Sequence, residues 1–307
     1  MKVVFLGTPE FSVPALKRIS QIPYIQLSAV VCNRDKPVGR KKVLTPPPVK
    51  VFAEQNGVPV LQYDRIRTEG VEDIKSLAPD IMITCAFGQI LSKEILDIPK
   101  LGVYNIHASL LPKYRGASPI HYAILNGEKE TGITIMKTDV GIDTGDILLQ
   151  RSLKIGDDET CGELFTRLSE LGADCIEIAL DMIKSGNINL KKQDEEGASY
   201  TKMIKKEDSL IDFNASAESV VNFVRAYNPS PVAYTFYHGE PFKVYKARIS
   251  DVRGEPGKVV KSDGRLIIGC GDGSVELLRV CKAGGKIMDV QDFLRGNKIA
   301  EGESFNI

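Results

Sequence analysis

The stretch GVYNIHASLLPKYRGASPI, Gly102 to Ile120, decides how the chain is read. Its first part is apolar and rich in β-branched residues, interrupted only by Asn105 and His107, as expected of a strand buried on both faces. At an alternation of two, those side chains point to the same side of the sheet. They also sit where the strand ends, and ligand sites of open α/β sheets lie beyond the carboxyl ends of strands. The corner Ser109-Leu110-Leu111-Pro112 then turns the chain away.

Three further runs share the character of this strand: KVVFLG, IQLSAVVC and DIMITCAFG. Helix candidates lie between them. PPVKVFAEQNG has prolines at its start and Gly57 after its end, the expected asymmetry. TGITIMKTD and GDILLQRSLKI read as two strands around a turn. A long helix is expected from about Thr160 to Lys184, because Leu164, Leu168, Leu171, Cys175, Ile178 and Met182 recur at spacings of three and four. Gly186 is placed to end it. Strands alternating with helices predict an α/β domain with a parallel, doubly wound, Rossmann-like sheet.

After about Asn187 the character changes. NLKKQDEEGASYTKMIKKEDS is polar and charged, as a connector would be. Beyond it come one short helix, SAESVVNFVRAY, and the short strand-like runs VAYTFY, FKVYKARI, GKVVKS, RLIIGC and SVELLRVC. Gly-rich turns at this spacing predict a small β-barrel. The expected organisation is a catalytic domain over residues 1–189, a connector over 190–207 and a barrel domain over 208–307.

The 307 residues are 43% hydrophobic and 26% charged, ordinary for a soluble globular chain long enough for two domains. Forty Lys and Arg balance forty Asp and Glu, so any polyanionic partner must be met by a local patch. The opening MKVVFLGTPEF holds too short an apolar run for a signal peptide, and no stretch has the length of a membrane span. Six cysteines lack any C-x-x-C spacing, which argues against a zinc site, and a disulfide framework is not expected in a chain this long with no secretory signal. A cytoplasmic protein with no metal and no membrane partner is expected.

The loop TDVGIDTGD brings Asp139, Asp143 and Asp146 among glycines at another strand end. With Asn105 and His107 this gives an amide, an imidazole and a carboxylate, which is what acyl transfer to an amine requires. An amide donor to a developing oxyanion is worth about 10²–10³ in rate. An imidazole that moves the amine's proton adds roughly 10²–10⁴, and a carboxylate can orient that ring. No serine or cysteine stands in a nucleophile elbow, so direct attack by the amine fits better than a covalent acyl-enzyme. A single histidine after a strand is more often structural, and His121 and His238 are read that way. GTPEF is not G-x-G-x-x-G, which argues against a dinucleotide.

Taken with ETGITIMKTDVGIDTGDIL, the run NIHASLLPKYRGASPI resembles the signature of the 10-formyltetrahydrofolate-dependent formyltransferases. The match falls residue by residue on Asn105, His107 and Asp143 as catalytic groups, and on Ser109, Leu110, Leu111 and Pro112 as a folate-binding corner. FLGTPEFSVPAL, DKPVGRKKVLTPPPVK and RAYNPSPVAYTF extend the resemblance, nearly end to end, toward the branch of the family that acts on initiator tRNA. That resemblance implies a C-terminal OB-like barrel contacting tRNA. It also implies transfer of a formyl group from 10-formyltetrahydrofolate to the α-amine of methionine on initiator methionyl-tRNA, through a tetrahedral intermediate, by a monomeric enzyme. It further implies that the pterin lies against the backbone of CAFGQIL, at Phe87, Gln89, Ile90 and Leu91.

The residues lend the tRNA reading some support. Arg34 to Lys50 carries the basic residues Arg34, Lys36, Arg40, Lys41, Lys42 and Lys50 against the lone acid Asp35. With its prolines and Gly39 it reads as an exposed, partly stiffened loop, and concentrated basic charge suits phosphate contacts. From Asp208 onward thirteen basic residues balance thirteen acidic ones, so a basic face on the barrel would need uneven distribution. The alternative is a nucleotide-sugar or other small-amine formyltransferase using the same donor, against which the long basic loop argues. A glycinamide ribonucleotide formyltransferase would be about one domain long, with a glycine-rich loop where this chain has GTPEF. A non-catalytic RNA-binding protein would have no use for the intact Asn-His-Asp set.

Overall fold

The computed structural model describes residues 1–39 and 41–305. The chain forms two compact units. The first gathers Met1–Gly116, Thr131–Leu153 and Phe165–Thr201; the second gathers Ala117–Glu130, Lys154–Leu164 and Lys202–Ile307.

The chain begins with β1 (Lys2–Gly7), α1 (Val13–Ser20) and β2 (Gln26–Cys32). A short pair, β3 (Lys36–Val38) and β4 (Val43–Thr45), precedes α2 (Pro48–Gln55) and β5 (Val60–Gln62). Then come α3 (Ile66–Glu69), α4 (Val71–Leu77), β6 (Ile81–Cys85), α5 (Lys93–Leu96) and β7 (Val103–His107). After β8 (Arg115–Gly116) and α6 (Pro119–Leu125), β9 (Glu130–Lys137) and β10 (Ile147–Lys154) lead into α7 (Cys161–Ser185) and β11 (Tyr200–Thr201).

Seven of these strands form one sheet in the order β10-β9-β7-β6-β1-β2-β5. β5, β2, β1, β6 and β7 are parallel. β9 departs from the expected all-parallel pattern and runs antiparallel to β7. The reason lies in the connection: α6 packs on a helix of the second unit, so no crossover helix carries the chain back along this sheet. Val3 to Leu6 and Ile81 to Ile83 are fully buried, as their continuous apolar runs require.

α7 starts and stops where its sequence says. Thr160 and Glu163 form a capping box: the Glu163 N–H donates to Thr160 Oγ1 at 3.3 Å, and the Thr160 N–H donates to Glu163 Oε2 at 2.9 Å. Gly186, at φ +72°, ends it. Against the sheet, α7 comes close at Gly172, where an added Cβ would lie 3.1 Å from Ile106.

In the second unit α8 (Ala217–Ala226) packs against α6 and precedes an antiparallel sheet. Its strands are β12 (Tyr234–Tyr237), β13 (Glu240–Ser250), β14 (Val259–Ser262), β15 (Leu266–Gly269) and β16 (Ser274–Lys282). They lie in the order β12-β13-β16-β15-β14. The end of the chain bridges both edges of this curled sheet, Phe305 pairing with Tyr237 and Ser304 with Lys258. β17 (Met288–Asp289) and α9 (Val290–Gly296), which no sequence pattern announced, add a strand beside β16 and a helix that buries Val290 and Phe293. Among the described residues no helix is long and apolar enough to cross a membrane.

Candidate active site

β6 and β7 deliver the chemistry to the carboxyl edge of the large sheet. Thr84 on β6 faces Asn105 on β7 in register. The Thr84 hydroxyl donates to Asn105 Oδ1 at 2.8 Å, and the Asp143 carboxylate, which can only accept, fixes the other end of the amide as nitrogen. The amide nitrogen therefore points outward and donates to Asp143 Oδ1 at 3.3 Å. A further N–H of the same group remains for a substrate oxygen.

His107 is 5% exposed. Its Nε2 lies 2.9 Å from the Tyr114 carbonyl, which can only accept, so Nε2 carries the hydrogen. Nδ1 then faces Asp143 Oδ2 at 3.6 Å. That carboxylate also takes the Gly116 N–H at 2.8 Å. Asp143 itself sits at φ +53°, a conformation that Asp tolerates better than most residues. Gly145 two residues on admits no side chain, since a Cβ there would lie 1.7 Å from the Lys137 carbonyl. Gly145 is thus required by close backbone packing.

The Ser109–Pro112 corner is fixed from β9. Thr134 pairs with His107 across the two strands. Its hydroxyl donates to the Ser109 carbonyl at 2.6 Å and accepts the Leu111 N–H at 3.1 Å. Gln150 donates to Thr134 Oγ1 and to the Leu111 carbonyl, both at 2.9 Å. The Ser109 hydroxyl is buried and donates to the Lys113 carbonyl, so it is not poised to attack anything. Burial pushes the Cys85 thiol up to about 12, which removes the nearby strand-end cysteine as a nucleophile too.

Phe87, Gln89, Ile90 and Leu91 follow β6. Phe87 is buried, its side chain in the core and its carbonyl accepting from Thr8 and Asn33 at 3.3 Å. Gln89 is committed within the chain: it donates to Asn33 Oδ1 at 2.7 Å and to the Tyr63 carbonyl at 3.0 Å, and accepts the Ile66 N–H at 2.8 Å. Leu91 packs against the core, whereas Ile90 is 70% exposed. Gly88, Gln89 and Ile90 line a cleft of about 330 Å³ with Asp64, Arg65 and Arg67.

The basic segment is a β3–β4 hairpin in place of the expected loop. Its charges divide into two sets. Arg34 pairs with Asp64 at 3.0 Å, and Lys50 lies 2.9 Å from Asp35 and 3.0 Å from Gln62. Lys36, Lys41 and Lys42 are exposed, while Arg40 lies outside the described residues. His121 is half-buried beside Tyr227, and partial desolvation holds its imidazole below its usual value. His238 is exposed beside Glu303 at 3.6 Å.

Several groups that build the site gave no sequence signal. Gln193 and Arg115 stand alone in polar surroundings. Thr84 and Thr134 had a faint one, a hydroxyl inside an otherwise apolar buried strand, which must find a partner.

A formyl transferase family model matches residues 1–180, and a model of the formyl transferase C-terminal domain matches residues 203–298. The methionyl-tRNA formyltransferase of Geobacter sulfurreducens is 44% identical over 305 residues, covering 98% of this chain and 96% of its own. That of Ruminiclostridium cellulolyticum is 46% identical over 309 residues, covering 99% of both. Among solved structures, a sugar 3N-formyl transferase with dTDP and 5-N-formyl-THF aligns at TM-score 0.67 and 22% identity, covering 93% of this chain and 99% of that one. An N-formyltransferase from Helicobacter canadensis, in complex with folinic acid and dTDP-3-aminofucose, aligns at TM-score 0.67 and 21% identity over 90% and 98%. At such identity these two establish the fold alone. Matched by both family models and nearly end to end by relatives of the same name, this chain belongs to the formyl transferase family, among the methionyl-tRNA formyltransferases.

Proposed function

We propose that this chain transfers the formyl group of 10-formyltetrahydrofolate to the α-amine of methionine on initiator methionyl-tRNA, acting as a cytoplasmic monomer. The observation that carries the mechanism is the convergence of Asn105 and His107, from β7, with Asp143, from the loop between β9 and β10. In this reading residues 1–189 hold the folate and perform the chemistry, 190–207 connect, and 208–307 form a tRNA-binding barrel.

The amine nitrogen attacks the formyl carbon directly. Asn105 donates its remaining N–H to the oxygen that becomes negative, in an orientation already set by Asp143 and Thr84. His107 takes the proton released by the amine. Because Nε2 is engaged with Tyr114, the accepting atom is Nδ1, and the resulting imidazolium faces the Asp143 carboxylate. The proton then passes to the departing folate nitrogen as the bond from that nitrogen to carbon breaks.

Folate fits the remaining features. The pterin would lie against the backbone of Phe87, Gln89, Ile90 and Leu91, with the Ser109, Leu110, Leu111 and Pro112 corner closing the site. Phe87 and Leu91 pack into the core and Gln89 is tied to its neighbours, so beside the exposed Ile90 side chain this segment offers a ligand mainly backbone polar groups. For tRNA, Arg34, Lys36, Arg40, Lys41 and Lys42 are the proposed phosphate contacts. The exposed Lys36, Lys41 and Lys42 side chains support this more strongly than Arg34, whose charge is partly met by Asp64.

The test is to supply the purified protein with 10-formyltetrahydrofolate and either initiator methionyl-tRNA or a nucleotide amino-sugar. Transfer to the aminoacyl-tRNA is expected. An Asn105→Ala, His107→Ala double variant should lose on the order of 10⁴-fold or more in turnover with little change in tRNA affinity. Preferred transfer to the sugar amine, or undiminished turnover by the double variant, would overturn the reading.

A further inference from the structure

We infer that Gln193 is a positioning residue for Asp143, with its own amide oriented by the buried Arg115; the inference rests on the catalytic reading of Asp143 given above. Gln193 Nε2 donates to two carbonyls of the Asp143 loop, those of Asp143 and Gly145, both at 2.8 Å. One amide therefore pins the backbone at Asp143, which is held at positive φ, and again two residues further on. No other side-chain donor to those carbonyls is found among the described residues.

What fixes Gln193 is Arg115, whose side chain is 0% exposed. Its Nε and Nη2 donate to Gln193 Oε1 at 3.0 and 2.9 Å. The rest of the guanidinium meets Glu195 through two bonds, at 2.9 and 2.8 Å, and the Tyr200 hydroxyl at 3.0 Å. All five of its N–H groups thus find acceptors. The Glu195 carboxylate, first among the causes, raises the guanidinium's pKa, so its charge is permanent. A guanidinium has nothing to accept with, so the oxygen of Gln193 must face it and the nitrogen must face the Asp143 loop. The flip of the amide is dictated by charge.

The same strand pair reaches His107. Arg115 stands between Tyr114, whose carbonyl holds His107 Nε2, and Gly116, whose N–H holds the Asp143 carboxylate. Ser199 binds the backbone N–H groups of Arg115 and Tyr114, both at 2.8 Å. At Gly116 a Cβ would lie 2.5 Å from the Thr201 carbonyl, so β8 and β11 meet with no room for a side chain. Residues 193 to 201 clamp both members of the proposed proton-handling pair.

The experiment compares Gln193→Glu, Gln193→Met and Asp143→Asn in the full-length protein. Glutamate keeps an acceptor for Arg115 but loses both donors to the loop, and methionine of similar length loses both functions without adding charge. Turnover of each folded Gln193 variant should fall on the order of 10–100-fold, as expected when a reacting group is displaced by about an ångström. KM for folate and for methionyl-tRNA should stay near the parent values, and the melting temperature of Gln193→Glu should change little. If both Gln193 variants keep parental turnover while Asp143→Asn is impaired, the clamp proposal fails and the catalytic reading stands. A rise in KM at unchanged kcat would make Gln193 a binding contact and overturn the proposal. Parental turnover in Asp143→Asn would instead remove the catalytic reading, and the clamp with it.

Discussion

Around Asp143 the polar atoms are answered from within the chain; along the β3–β4 hairpin they are left open. The Asp143 carboxylate takes N–H groups from Gly116 and Asn105, its backbone is held by Gln193, and the imidazole it faces is held by Tyr114. On the hairpin, the side chains of Lys36, Lys41 and Lys42 find no hydrogen bond or ion pair among the described residues, and Val38, Val43 and Leu44 are 56%, 60% and 64% exposed. On the proposed function, the difference separates two kinds of work. Chemistry needs groups fixed before the substrate arrives, because reorganisation would be charged against the transition state. Docking onto a polyanion needs unneutralised charge on a projecting element, since an internally paired cation has little left to offer a phosphate.

The largest effect should come from disturbing the fixed region where it has least room. Gly145→Ala would place a methyl group 1.7 Å from the Lys137 carbonyl, so the loop carrying Asp143 must move. Turnover should fall on the order of 100-fold, measured as kcat with saturating folate and tRNA. Salt dependence of tRNA binding should not change. A variant with parental kcat would break the contrast, because it would show that the site tolerates a displaced carboxylate.

An intermediate effect is expected from the open region. Replacing both Lys41 and Lys42 by alanine should weaken tRNA binding several-fold and lower the slope of log K against log salt by about one per phosphate contact removed. Folate affinity and kcat at saturating tRNA should remain at parental values. An unaltered salt slope would mean that these ammonium groups do not meet phosphate, and the hairpin would lose its role.

The two regions also differed in how far they could be read beforehand. β1, β2, β6 and β7 announced themselves as β-branched runs, and the alternation of Asn105 and His107 at a strand end was enough to put both on one side. α7 was visible through its apolar spacing. The loop of Asp139, Asp143 and Asp146 could be grouped with them from its place at a strand end, but only the resemblance singles out Asp143, because nothing local distinguishes the three carboxylates. Gln193 was invisible for a different reason: its role is defined by Arg115 and the Asp143 loop, 78 and 50 residues away. The segment around it looked like solvated connector, since polar residues that satisfy buried partners have the same composition as those that face water. The hairpin does not show in the sequence because each strand is three residues long, too short for alternation to register. α9 was missed because its seven residues give less than two full apolar repeats.

The smallest effect tests the border between the two regions, the root of the hairpin. Asp35 accepts hydrogen bonds from Gln62 and Lys50, which hold its carboxyl below the ordinary carboxylate value. Gln62 also donates to the Asn33 carbonyl, and Asn33 contacts the Phe87 and Gln89 segment, so the root is built like the fixed site and unlike the tip. Since the folded value lies below the unfolded one, the link's contribution to stability is present above the unfolded value of about 3.9 and is lost as the pH falls through the folded value. Asp35→Ala should therefore melt slightly earlier than the parent near neutral pH, and the two melting curves should converge under acid. At neutral pH the same variant should raise KM for tRNA without changing kcat, because the hairpin's charges remain but their anchor is loosened. If the melting difference persists under acid, the aspartate contributes through packing and not through its charge. If KM for tRNA stays at the parental value, the hairpin is held by its own strand pairing, and the line between fixed and open regions runs through its base.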